Sequence, residues 1–228
     1  ERDLHMDFST FVLAASVTSL VDLPPSIKQA DAIEFRMDLS PDPLVELSNY
    51  SHDLPIIATN RVAHEGGRAP ENESRMDLLR DAMENSSVKA IDIEFSSIVS
   101  GYGQYTIDAA REHGISLIVS THDFTSTPSL SKLESILIES TKIGDVGKLS
   151  VTAETPSDIL SLMVATWNRT QSGDIVATMS MGNLGSHSRV IAPFYGSKIG
   201  YAPLDSNNPT APGQYTLEVL RNLMTSLY

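Results

Sequence analysis

Apolar runs of strand length recur along the chain, each followed by a polar or amphipathic stretch. They lie at 11–18 (FVLAASVT), 32–38 (AIEFRMD), 54–60 (LPIIATN), 88–95 (VKAIDIEF), 115–121 (ISLIVST), 146–152 (VGKLSVT), 174–181 (DIVATMSM) and 199–204 (IGYAPL). Rich in β-branched residues and nearly continuous, they predict parallel strands buried on both faces. Helical patterns fall between them. One covers 71–85, with Met76, Leu78, Leu79 and Met83 as its apolar positions. A second covers 127–141, opened by a Thr127-Pro128 cap, and a third covers 155–167, with Thr155 as cap, Pro156 at the first helical position and Asp158 at the third. A fourth, 214–228, closes the chain. The segments after the first and seventh strands carry weaker helical patterns. No repeat, low-complexity tract or linker interrupts the series, so one domain over 1–228 is expected.

Strands alternating with helices admit a doubly wound open sheet or a closed (β/α)8 (TIM) barrel. A dinucleotide-binding sheet wants G-x-G-x-x-G after its first strand; the turn here, Ser19-Leu-Val-Asp-Leu-Pro-Pro25, has no glycine. Eight units in 228 residues fit a compact barrel, whose active site would lie at the carboxyl ends of the strands.

Composition narrows the function. Sixteen basic against 29 acidic residues give a net charge of −13, which speaks against nucleic acid as a partner. The absence of cysteine excludes thiolate metal sites, disulfides and a cysteine nucleophile. No apolar run reaches membrane-spanning length. No signal peptide is evident at the start, and a cytoplasmic protein is expected. His5-Met6 reads as a cloning junction, with residues 1–5 as its remnant.

The strand ends are unusually polar. Ser16 and Thr18 end the first; Glu34 and Arg36 share one face of the second; Arg61 and His64-Glu65-Gly66-Gly67 follow the third; Asp92 and Glu94 share a face of the fourth. His122 ends the fifth, Lys148 lies inside the sixth, and a loop after the seventh leads to Arg189. Charges inside a packed barrel need partners or a polar cavity; Glu34–Arg36 and Glu94–Lys148 pairs would be the plain structural answer. So many polar strand ends favour a site instead. Burial of Lys148 disfavours its ammonium form and prepares an amine that can attack a carbonyl, and Gly147 would leave room for substrate. His122 would move protons, oriented by Glu65. Arg36, Arg61 and Arg189 form a cationic set suited to an anionic hydroxylated substrate. His64-Glu65 is not H-E-x-x-H, Gly147-Lys148 is not a phosphate loop, and the six histidines show no metal-ligand spacing.

Seven segments, taken in order, resemble the type I 3-dehydroquinate dehydratases of the shikimate pathway: Glu34-Phe-Arg-Met-Asp38; Asn60-Arg61 with Glu65-Gly-Gly67; Asp92-Ile-Glu94; His122-Asp-Phe124; Lys148; Met179-Ser-Met-Gly182 with Ser188-Arg189; and Ala211-Pro-Gly-Gln214. The match runs nearly end to end. The resemblance implies a (β/α)8 barrel, a homodimer without metal or cofactor, and dehydration of 3-dehydroquinate to 3-dehydroshikimate. Lys148 matches the Schiff-base lysine, His122 the general acid/base and Glu65 the carboxylate that orients it. Arg189 and Gln214 match the carboxylate-binding pair, Glu34, Arg36 and Arg61 the hydroxyl-binding group, and Ser16 and Met179 wall positions. Thr210 stands where serine is common, Tyr201 where phenylalanine is, and Asn60 where an aromatic is. Trimmed surface helices and a trimmed first hairpin are expected from the short chain. Another lysine-imine barrel of the class I aldolase type, or a non-catalytic hydroxy-acid-binding protein, are the other readings. The first lacks a glycine-rich phosphate loop, and the second predicts loss of Lys148 or His122, both present.

Overall fold

The computed structural model describes residues 5–206 and 209–227. Eight parallel strands form one sheet: β1 (Val12–Val17), β2 (Ala32–Arg36), β3 (Ile56–Thr59), β4 (Val88–Glu94), β5 (Ser116–His122), β6 (Val146–Thr152), β7 (Val176–Met181) and β8 (Ile199–Pro203). Their order is β7-β6-β5-β4-β3-β2-β1-β8, a nearly closed barrel. Seven lie inside the runs read from sequence, and β5 extends one residue beyond its run to take in His122.

Parity along each strand divides the core in two. Outward residues such as Leu13, Phe35, Ile91, Ile93 and Val119 pack beneath the surrounding helices. Inward residues Ala14, Ala32, Ile57, Ala90, Ile118, Val146, Ala177 and Ile199 fill the lower barrel, and Met6 and Phe8 pack against them from below. Above that apolar layer the inward positions turn polar: Glu34, Asp92, Ser120 and Lys148, then Arg36, Glu94 and His122. The barrel thus puts its stability at the bottom and its chemistry at the top.

The helices are α1 (Pro43–Ser48), α2 (Glu73–Met83), α3 (Phe95–Val99), α4 (Gln104–His113), α5 (Leu130–Ile143), α6 (Pro156–Gln171), α7 (Gly182–Gly185), α8 (Ser188–Ile191) and α9 (Leu217–Leu227). α6 starts as its sequence requires, with the Asp158 carboxylate accepting from the Thr155 N–H at 2.7 Å. α5 starts two residues later than Thr127-Pro128 suggested. The Thr127 hydroxyl donates to the Thr152 carbonyl at 2.8 Å, which ties the segment to the end of β6 and leaves Ser129 as cap. After β1 there is only a 3-10 turn, Pro25–Gln29, and after β7 two single turns, so two of the eight expected helices are vestigial. Residues 1–4, Asn208 and the expected terminal Tyr228 of the last helix lie outside the described residues. No helix among the described residues is long and apolar enough to cross a membrane.

β7 and β8 do not form a ladder. They are linked by Lys198 N–H to Val176 C=O at 2.8 Å, while the exposed donors of β7 are taken by serines: Thr178 N–H by the Ser197 hydroxyl at 3.0 Å and Ser180 N–H by the Ser188 hydroxyl at 2.8 Å. These side chains cover a strand edge that would otherwise be left open.

Candidate active site

Lys148 stands on the floor of the upper barrel, 4% exposed. Its register partners are Ser120 on β5 and Ala177 on β7. The Nζ lies 2.9 Å from Asp92 Oδ2, 3.6 Å from Glu34 Oε1 and 4.1 Å from the centre of the Tyr201 ring. Glu94, the partner the sequence suggested for this lysine, pairs with Arg61 and Arg75 instead, and the barrel supplies Asp92, Glu34 and an aromatic face. The adjacent Gly147 does not make room for substrate. A Cβ there would lie 2.9 Å from Thr141 Cγ2 and 3.2 Å from the Leu137 carbonyl, so its missing side chain lets α5 approach the sheet.

His122 sits on the neighbouring strand, one layer above. Its Nδ1 is 3.0 Å from Glu65 Oε2, which also accepts the His122 backbone N–H at 3.0 Å. Glu65 is fixed in turn by the Ser96 hydroxyl. In the neutral ring Nδ1 donates to the carboxylate and Nε2 is left as base. Burial, then the positive charges of Arg61 and Lys148, hold the imidazole well below its ordinary 6.5. Burial raises Glu65. Burial would raise Asp92 too, but Arg61 and Lys148 outweigh it and hold that carboxyl low.

The pairing differs from the one the sequence suggested. Arg36 turns to Asp38, donating from Nε and Nη2 at 2.8 Å each, and Glu34 takes the Ser16 hydroxyl at 2.5 Å and that of Thr59 at 3.3 Å. Arg61 donates to Glu94 at 2.9 Å, Asp92 at 2.9 Å and Ser120 at 2.7 Å. Of the three arginines expected to form a cationic set, Arg36 and Arg61 are therefore already neutralised by protein carboxylates. Arg189, on α8, has no carboxylate partner among the described residues; its Nη2 donates to the Pro212 carbonyl at 3.2 Å. Burial lowers its guanidinium to about 10.

One cleft collects these groups. It has about 430 Å3 of free space including its mouth, and Glu34, Arg36, Arg61, Glu65, His122, Lys148, Arg189, Thr210 and Gln214 all line it. Ser16 is not on this wall; it stands beside Glu34 in strand register and donates to it. The Gln214 side-chain oxygen accepts from the Thr210 and Ala211 N–H groups at 2.9 and 3.0 Å, so it shapes its own loop as well as facing the cleft. Gly66, with φ +82°, lies against Phe124, where a Cβ would come within 2.3 Å of the ring. Phe124 in turn stacks toward His122 at 6.4 Å between ring centres.

The sequence reading had missed Asp92 as the partner of Lys148, Ser150 and Phe124 in the wall, and Asp38 and Ser96 as supports. Asp92 was visible as an inward charge on β4; its partner emerges only when β4 and β6 meet across the barrel. Among the described residues no group of three or more histidine, aspartate or glutamate side chains is arranged to hold a metal ion.

A nearly closed parallel barrel with an ionised cleft at the carboxyl ends of its strands is the layout of a TIM-barrel enzyme. The type I 3-dehydroquinase family model matches residues 10–228, and the chain belongs to that family. The 3-dehydroquinate dehydratase of Haloarcula marismortui is 45% identical over 226 residues, covering 97% of this chain and 98% of the relative. That of Halobacterium salinarum is 44% identical over 225 residues, covering 97% and 100%. Among solved structures, the 3-dehydroquinate dehydratase of Geobacillus kaustophilus superposes with a TM-score of 0.82 at 26% identity, covering 96% of this chain and 91% of that one. The type I enzyme of Clostridium difficile, with covalently modified comenic acid, gives 0.81 at 25% identity, covering 96% and 92%.

Proposed function

We propose that this chain dehydrates 3-dehydroquinate to 3-dehydroshikimate through a Schiff base on Lys148, with His122 as general acid and base. The observation that carries the proposal is the cleft itself. A lone lysine lies on its floor, a Glu65-oriented imidazole lies one layer above, and Arg189 is an uncompensated cation at the rim. A solved type I relative with covalently modified comenic acid supports covalent chemistry in this family.

The Lys148 amine adds to the C3 ketone, and loss of one water leaves an iminium. The iminium withdraws electrons from C2, and His122 Nε2 takes a C2 proton to give an enamine. The enamine expels the C1 hydroxyl, which His122 protonates, so a second water leaves. Hydrolysis consumes one water and returns the amine. The balance is one water lost, and the electron sink is supplied by the imine. Asp92 and Glu34 balance the cation at each stage where nitrogen is charged. Glu34, Arg36 and Arg61 lie where substrate hydroxyls would reach, and Arg189 with Gln214 faces the substrate carboxylate.

We carry a homodimer and a cytoplasmic location in the same proposal. Leu160, Val164 and Trp167 form an exposed apolar stripe on α6 that supports self-association, which sedimentation measures.

The direct test is the absorbance of the conjugated enone, followed in excess chelator. Turnover of 3-dehydroquinate is expected with and without chelator; no enone under any condition would overturn the reading. Arg189→Ala is expected to weaken substrate binding by about 2–5 kcal/mol, because a desolvated charge pair with the carboxylate is lost. Steady-state kinetics read this as a raised KM, and an unchanged KM and kcat would place the carboxylate elsewhere.

A further inference from the structure

The ion pairs beneath the cleft continue through the barrel wall. From Lys148 the series runs to Asp92 at 2.9 Å, from Asp92 to Arg61 at 2.9 Å, from Arg61 to Glu94 at 2.9 Å and from Glu94 to Arg75 at 2.7 Å. The signs alternate along it, and every one of these side chains is buried. Arg75 belongs to α2, outside the sheet, and does not line the cleft. Its Nη1 also donates to the Asn60 carbonyl at 2.8 Å, and its Nη2 to Ser97 at 2.7 Å and Glu71 at 3.2 Å. Asn60 Nδ2 donates back to the Arg75 carbonyl at 3.0 Å. Arg75 therefore grips Arg61 twice, through the backbone just before it and through the Glu94 carboxylate that pins its fork.

We infer that Arg75 is a positioning residue for the covalent step, acting through Glu94, Arg61 and Asp92 on Lys148. The inference rests on the Schiff-base reading above. Charges in a dry, low-dielectric interior are felt along the whole series. Without Arg75, Glu94 keeps a buried charge with Arg61 as its remaining cation, and Arg61 is drawn toward it. Asp92 is then less neutralised, and its ion pair with Lys148 tightens around the reacting nitrogen. Five groups face Lys148: Asp92 from β4, Glu34 from β2, His122 from β5, Arg61 from the loop after β3 and Tyr201 from β8. Of these, Arg61 and Asp92 lie on the path to Arg75. A mere staple between α2 and β4 would affect stability and leave the pH behaviour alone.

The test compares Arg75→Met, Arg75→Lys and the double variant Arg75→Met/Glu94→Gln by kcat and KM against pH, borohydride trapping and thermal unfolding. Arg75→Met is expected to keep KM and to lose kcat by up to about 10²-fold, the scale of a misplacement remote from the chemistry. Its pH–kcat profile and its trapping profile both move toward alkaline pH. Arg75→Lys, which keeps the charge, keeps the wild-type profile. The double variant, which removes both buried charges, returns the profile toward wild type. Should Arg75→Met fail to fold, these last two variants carry the test. A lowered unfolding temperature with unmoved profiles, a lysine variant shifted off the wild-type profile, or a double variant that does not return toward it overturns the inference. Absence of a Lys148 adduct in the unsubstituted enzyme overturns the Schiff-base reading instead, so the two failures are distinct.

Discussion

Lys148→Ala loses both the borohydride-trapped substrate adduct and nearly all turnover. With substrate and borohydride the unsubstituted enzyme gains a stable mass on the peptide that contains Lys148. Removal of a covalent nucleophile lowers turnover on the order of 10⁴-fold or more. No other described lysine can stand in. Lys142 is on the outer face of α5, paired with Glu139 at 2.7 Å, and Lys198 reaches down to the Ser9 carbonyl at 2.7 Å, near the barrel's lower end. The variant leaves Asp92 bound to Arg61 and Ser120, so the carboxylate keeps partners and the fold is expected to survive; thermal unfolding checks this. A mass adduct in Lys148→Ala, or one mapped to a different lysine in the unsubstituted enzyme, removes Lys148 from the mechanism.

His122→Ala fails in another way. Proton transfer by a placed base contributes about 10²–10⁴-fold, so turnover falls by that order while covalent adduct still accumulates. Release of the adduct slows too, because the same imidazole serves hydrolysis. The pH dependence of the unsubstituted enzyme carries a matching sign. Burial and the cations Arg61 and Lys148 hold His122 below 6.5, so the ring is the neutral base at neutral pH. Activity is lost as pH falls through the lowered value, which puts this acid limb of kcat/KM below pH 6.5. A His122 imidazole that titrates at or above 6.5 by NMR contradicts the depressed ring, and full activity in His122→Ala contradicts its role.

Strand positions were legible because parallel strands covered on both faces leave continuous apolar runs, and the cleft residues stood out as charges inside them. Partner choice was not legible. Glu34 and Arg36 share a face, yet Arg36 closes a local fork with Asp38 while Glu34 faces Lys148 across the barrel. The 3-10 turn Met37–Leu39 that directly follows Arg36 brings Asp38 within its reach, and no spacing in the sequence encodes it. Gly147 was open to a better reading: if Lys148 faces in, its neighbour faces out by the period of the strand, toward α5. Arg75 left a fainter trace. It falls on the same stripe of α2 as Met76, Leu79, Ala82 and Met83, a charge on the buried face of an amphipathic helix. Short polar residues were misread for a different reason. Thr127 has a hydroxyl that fits a helix cap or a distant carbonyl equally well, and tertiary packing selected the carbonyl.

The serine-covered gap between β7 and β8 separates two mechanical duties. Lys148, Asp92 and His122 ride on β4, β5 and β6, which are joined by uninterrupted ladders and behave as an anvil. Arg189 hangs on the short α8 arm that spans the gap, braced by Ser188 against β7 and by the Pro212 carbonyl of the last loop. The hydroxyl-to-amide contacts are fewer than the bonds of a ladder, so less has to open for this jaw to yield while the anvil holds its geometry. Under the proposed Schiff-base mechanism, the grip on the carboxylate and the alignment of the reacting nitrogen therefore need not relax together: product would be let go on one side of the barrel without disordering the covalent centre on the other.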